Sequence, residues 1–121
     1  MYNNDSGGSE SVMSPIKIEP AYNINIYIAG DVQRIKNLCS RYCMNVGFCV
    51  TVTQTDFVYT GGVESGAIVG VVSYPRFPDS SANLRKKAID LANLLIVKTY
   101  QWSALVVTSE ESIWITVRDG E

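Results

Sequence analysis

The chain of 121 residues is long enough for one hydrophobic core, and its ten Lys and Arg against twelve Asp and Glu lack the broad basic field that long nucleic acid requires. It contains no histidine, which removes imidazole bases, histidine-based triads and histidine-ligated metals. No run of about eighteen apolar residues occurs and no basic-then-apolar leader opens the sequence, so neither a membrane span nor a signal peptide is expected, and the chain reads as cytoplasmic.

Residues 1–20 are rich in Asn, Ser, Gly and Glu and show no periodicity, which predicts a disordered or loosely attached tail. Ile16 and Ile18 are its only alternating pair, an edge-strand signal too short to outweigh that composition. The remaining 21–121 are expected to form a single α+β ligand-binding domain.

Ile24, Ile26 and Ile28 alternate with Asn23, Asn25 and Tyr27, the period of a strand with one buried face. Gly30 breaks it, Asp31 suits an N-cap, and Val32, Ile35, Leu38, Cys39, Tyr42, Cys43 and Val46 recur at helical spacing. Gly47 supplies the left-handed stop. A phosphate site at this helix start is a poor reading, because Asp31 would repel the anion and occupy the free amides itself. Cys39, Cys43 and Cys49 are an odd set, and two of them lie on the apolar helical face. They read as small buried hydrophobes rather than a disulfide framework or a three-thiolate metal site, so no metal and no cofactor is expected.

From Thr51 to Pro78 the chain interleaves aromatics, an arginine and glycines along what reads as a ribbon. The runs Cys49 to Tyr59 and Ala67 to Ser73 flank Gly61-Gly62, which predicts a hairpin with a loop longer than two residues. The second run is apolar on both faces, as in a central strand or one covered by a partner subunit, and Gly66 and Gly70 mark a bulge or a close approach. Pro75 and Pro78 stiffen the exit and present Tyr74, Arg76 and Phe77 as a clamp for a planar anion.

Ser80 or Ser81 can cap a second helix whose stripe is Leu84, Ala88, Leu91, Ala92, Leu95 and Ile96, ending near Tyr100. Arg85-Lys86-Lys87 is the densest positive charge, either a solvated face or a lip for phosphates. Leu105 to Thr108 and Ile113 to Val117 read as a second hairpin, with Trp114, Thr116 and Arg118 on one face and Ile113, Ile115 and Val117 on the other. The order strand, helix, hairpin, helix, hairpin predicts an α+β fold, with two helices on a largely antiparallel sheet of about five strands.

Catalysis is not expected from these residues. The carboxylates are scattered, and Ser65 in Glu64-Ser65-Gly66 is half of a nucleophile elbow without a base. A binding module fits better. Phe57, Tyr59, Tyr74 and Phe77 are stacking candidates for a nucleotide base, Arg76 and Arg118 are phosphate candidates, and Asp56, Thr60 and Asn83 are polar neighbours.

The segments Ile28-Ala29-Gly30-Asp31, Gly47-Phe48-Cys49-Val50-Thr51-Val52, Tyr59-Thr60-Gly61-Gly62-x-Glu64-x-Gly66 and Tyr74-Pro75-Arg76-Phe77-Pro78 resemble the first-described family of phage Thoeris anti-defence sponge proteins. The resemblance runs from about Ile24 to Ile96 and is most specific at the hairpin and its proline-rich exit. It implies a non-enzymatic protein of the bacterial host cytoplasm that captures a cyclic ADP-ribose isomer without cleaving it and so blocks Thoeris immunity. Some members of that family also bind cyclic di- or trinucleotides, and they assemble as dimers and hexamers. Arg118 is the only arginine after Arg85, fewer than the resemblance would lead one to expect. The competing reading is an oligomeric adaptor that binds another protein through its aromatic ribbon; it would present a flat apolar patch where a sponge would present converging aromatic and guanidinium groups.

Overall fold

A computed structural model describes residues 14–73 and 78–117. The elements follow the order β1 (Ile24–Ala29), α1 (Val32–Val46), β2 (Val50–Tyr59), β3 (Gly62–Val71), α2 (Ser81–Lys98), β4 (Ser103–Thr108) and β5 (Ser112–Thr116). The strands form one sheet in the order β2-β3-β1-β4-β5, and every neighbouring pair is antiparallel. This is the α+β arrangement the sequence predicts. Ile16 and Ile18 join no strand and are exposed.

Alternation along β1 sets the two faces of the sheet. Ile24, Ile26 and Ile28 point to the side that carries both helices, and the register places Val69 and Val106 beside Ile26 and Ala67 beside Ile28. Against them lie Ile35, Leu38 and Cys39 of α1 and the stripe Leu84, Ala88, Leu91, Ala92, Leu95 and Ile96 of α2. Each buried aliphatic side chain contributes about 1.5–3 kcal/mol, so this inner face carries the fold.

The helix ends follow the sequence signals. Asp31 Oδ1 accepts from the backbone N–H of Gln33 at 2.9 Å and of Arg34 at 3.4 Å, and Gly47 ends α1 at φ +68. Ser80 Oγ accepts from Asn83 N–H at 3.1 Å. Helix α2 stops at Lys98, two residues short of the expected Tyr100, because Tyr100 adopts φ +59 and leaves the helical ladder.

The first hairpin differs from expectation. Tyr59 pairs with Gly62, so the loop is the two residues Thr60 and Gly61, and β3 begins five residues before Ala67. Val63-Glu64-Ser65 resembles a loop in composition, yet ten consecutive register pairs with β2 hold it as strand. Gly66 is a close approach rather than a bulge: a Cβ there would meet Ile28 O and would lie 2.6 Å from the Phe57 ring.

Burial, and secondarily the neighbouring Cys43 thiolate, push the Cys39 thiol up from 9.0 to about 12. A raised folded-state value means that the thiol's contribution to stability is complete below pH 9 and is lost as pH rises through about 12. Wild type should therefore lose more stability between pH 9 and 12 than a Cys39→Ala variant does. Parallel curves in alkaline denaturant titrations would contradict that burial. Among the described residues no group of three or more His, Cys, Asp or Glu is placed to hold a metal.

Candidate functional site

Among the described residues, the outer face of the sheet carries no helix. The register that sends the isoleucines of β1 inward sends Asn25 and Tyr27 outward, beside Gly70 and Ile68 of β3 and Val107 and Leu105 of β4. Trp114 of β5 is paired with Leu105, and Phe57 and Tyr59 of β2 are paired with Glu64 and Gly62. All of these side chains share one surface, and Glu64 is the one charged residue among them.

At one end of this surface lies a cleft of about 660 Å³. Tyr27, Phe57, Tyr59, Trp102 and Trp114 give it five aromatic walls, and Glu64, Gln101 and Ser103 supply polar groups. Among the described residues Glu64 is its only charged lining residue, and it makes no ion pair with any of them. Gly66 allows the Phe57 ring to lie across β3 and into the cleft. Chemically the arrangement can stack a planar ring. Its electrostatics favour a neutral or cationic ligand, since aromatic faces and a carboxylate both attract positive charge.

The residues singled out from sequence are distributed unevenly about this cleft. Phe57 and Tyr59 line it. Asp56 points to the opposite side of the hairpin, where Ser65 Oγ donates to Asp56 Oδ1 at 3.4 Å, so neither Ser65 nor Asp56 faces the aromatics. Thr60 is exposed in the two-residue turn. Asn83 belongs to the first turn of α2, where its Nδ2 donates to Asp79 Oδ1 at 2.8 Å, and it is not brought to the ribbon's aromatic face. Tyr74, Arg76, Phe77 and Arg118 lie outside the described residues. Tyr27, Trp102 and Glu64 enter the site without having been singled out; the signal for Tyr27 was an aromatic on the polar side of an alternating strand.

The basic triplet is not a free phosphate lip. Arg85 Nε meets Glu111 Oε2 at 2.6 Å, Lys86 Nζ meets Asp90 Oδ2 at 3.1 Å and Lys87 Nζ meets Asp79 Oδ2 at 3.0 Å. Hydrogen bonds from the Asn83 amide and the Lys87 ammonium hold the Asp79 carboxyl below the usual carboxylate range. A further cleft between α1 and β2 is lined by Cys39, Cys43, Phe48 and Cys49. Burial raises the Cys43 thiol as well, which makes the Cys39 and Cys43 thiols poor nucleophiles.

No family model matches the chain, and no curated protein matches it. Two solved structures do. A phage SAM lyase in complex with S-methyl-5'-thioadenosine superposes with a TM-score of 0.71 at 15% identity, covering 92% of this chain and 100% of that one. A phage SAM lyase in the apo state gives 0.70 at 16% identity with the same coverage. At these identities the likeness establishes the fold alone.

That likeness corrects the expectation that the protein is not an enzyme, because a lyase is built on this fold. The expectation rested on the absence of histidine and of paired carboxylates. Such groups are needed where a substrate must be activated by proton transfer, and a substrate whose cationic leaving group departs as a neutral molecule needs no general acid. No helix among the described residues is long and apolar enough to cross a membrane.

Proposed function

We propose that the chain is a phage anti-defence protein that binds an adenosine-containing small molecule in the aromatic cleft of its open sheet face, with S-adenosylmethionine the ligand class that fits best. The observation that carries this reading is the convergence of Tyr27, Phe57, Tyr59, Trp102 and Trp114 around Glu64, the one charged lining residue among the described residues. An adenine ring stacks on such walls, and the ribose hydroxyls have a carboxylate and an amide within the same cleft. A sulfonium is a cation that aromatic faces attract, and its attached carbons are activated without help from an imidazole. The anti-defence part is supported by the sequence resemblance and by the phage origin of the two similar structures.

A second reading keeps the adenosine and changes the rest: a cyclic ADP-ribose isomer held in the same cleft. It is favoured by the sequence resemblance alone, since the described lining of the cleft has no cation for a diphosphate and Ser73 and Pro78, the described residues on either side of the Tyr-Pro-Arg-Phe segment, lie at the opposite end of β3 from Glu64. Both ligands share the base and differ in charge, so one variant separates them. Calorimetric titration with S-adenosylmethionine, S-methyl-5'-thioadenosine and a cyclic ADP-ribose isomer, followed by mass spectrometry of the recovered ligand, is the test. Under the first reading Glu64→Gln weakens the sulfonium ligand roughly tenfold while Arg76→Ala leaves it unchanged, an ion contact being worth about 1–2 kcal/mol. Under the second, Glu64→Gln tightens the diphosphate ligand instead. Failure of all three compounds to bind sinks both.

A further inference from the structure

The turn that ends α2 places one side chain in the aromatic cleft. Gln101 N–H donates to Ile96 O at 2.9 Å and Tyr100 N–H to Val97 O at 3.4 Å, the paired bonds of a Schellman turn that follows the Thr99 cap. The left-handed position of such a turn is usually glycine, and here it is Tyr100 at φ +59. An aromatic residue held there is strained, and strain of this kind clusters at functional sites. The Tyr100 ring is 90% exposed and contributes nothing to the lining of the cleft. What the turn delivers there is the next residue, Gln101.

Gln101 is half-buried, and its carboxamide lies over the backbone of Gly30, where an added Cβ would sit 3.3 Å from the amide end. Gly30 holds φ +135 and donates its N–H to Ser65 O at 3.0 Å, so the floor under the amide is tied to both β1 and β3. Among the described residues no hydrogen bond reaches the Gln101 side chain, although its backbone N–H is bonded. A half-buried carboxamide with donor and acceptor both unmet, beside five aromatic walls, suits a planar ligand that carries the same two functions on one edge.

The N6–N7 edge of adenine offers a donor and an acceptor side by side, and a carboxamide bonds both at once. Guanine and hypoxanthine carry a carbonyl in place of the amino group, so the same edge presents two acceptors and sets the carboxamide oxygen against another oxygen. A ribose diol is a pair of donors, which the Glu64 carboxylate in the same cleft can accept, and this leaves the amide for the base. We infer that Gln101 is the specificity-determining residue of the cleft: its carboxamide hydrogen-bonds N6 and N7 and selects adenine over 6-oxopurines. The inference rests on the reading of the cleft as an adenosine site and names the contact that chooses the base.

Calorimetric titration of the full chain with S-methyl-5'-thioadenosine, S-methyl-5'-thioinosine and the 7-deaza analogue of the first tests this, with circular dichroism to follow folding. Wild type is expected to bind the first compound about tenfold tighter than either of the others, since each of those lacks one half of the paired edge. Gln101→Leu should bind all three within about twofold of one another. Gln101→Glu accepts from N6 but cannot donate to N7, so it should keep the preference over the inosine compound and lose the preference over the 7-deaza compound. These are ratios within one variant, which a purely structural role for Gln101 would not move. Binding by wild type without preference, or a preference that survives in Gln101→Leu, overturns the role of Gln101 and leaves the adenosine site standing. Failure of wild type to bind any of the three overturns both.

Discussion

Ile26→Ala is expected to remove about 3 kcal/mol of stability, within the 2–5 kcal/mol that such truncations cost in a close-packed core. Ile26 has no solvent exposure and lies on the central strand, between Val69 of β3 and Val106 of β4, which are equally buried. The sheet backbone fixes those neighbours through ladders on both sides, so the vacated space has little means of collapsing. Against a total of about 5–15 kcal/mol, that loss is a large share, and the melting temperature should fall by roughly 10–20 °C. Thermal unfolding followed by circular dichroism measures it. A shift of only one or two degrees would mean that the inner face of β1 is not where the core is.

Trp114→Ala should do the reverse, weakening the ligand roughly tenfold to a hundredfold while changing stability by about 1 kcal/mol or less. Stacking of a base on an aromatic side chain is worth about 1–3 kcal/mol, and each 1.4 kcal/mol is tenfold in affinity. Trp114 is 54% exposed on the helix-free face, paired in register with Leu105, so its ring holds little of the core. Titration of S-methyl-5'-thioadenosine into the variant reads the affinity, and a melting curve reads the stability. Unaltered affinity would remove the cleft from consideration, and equal losses of both would make Trp114 a packing residue. Together with Ile26→Ala this separates the two faces of one sheet, the inner one for folding and the outer one for binding.

Much of the architecture was legible because local rules and tertiary packing agree. The alternation of Ile24, Ile26 and Ile28, the Asp31 cap, the Gly47 stop and the stripe from Leu84 to Ile96 each specify an element without reference to the rest of the chain. Val63-Glu64-Ser65 was misread because its strand state comes from register with β2 and not from propensity. The catalytic exclusion failed for a different reason. Lack of histidine excludes certain mechanisms, but it does not exclude a fold whose relatives by shape include a lyase.

The site was legible only in part. Phe57, Tyr59 and Trp114 stand out in the sequence as aromatics on strands, and they do meet. Asp56 and Asn83 read in the sequence as polar neighbours of a nucleotide, and strand alternation and the α2 cap send both elsewhere. What the sequence determined was each strand's period, each helix's ends and the segregation of aliphatic from aromatic residues along β1 and β5. What the tertiary structure alone decided was the strand order β2-β3-β1-β4-β5, which brings Tyr27, Phe57, Glu64, Trp102 and Trp114 to one cleft from across the chain. The reason is physical: periodicity fixes which way a side chain faces, whereas the pairing of distant strands fixes what it faces.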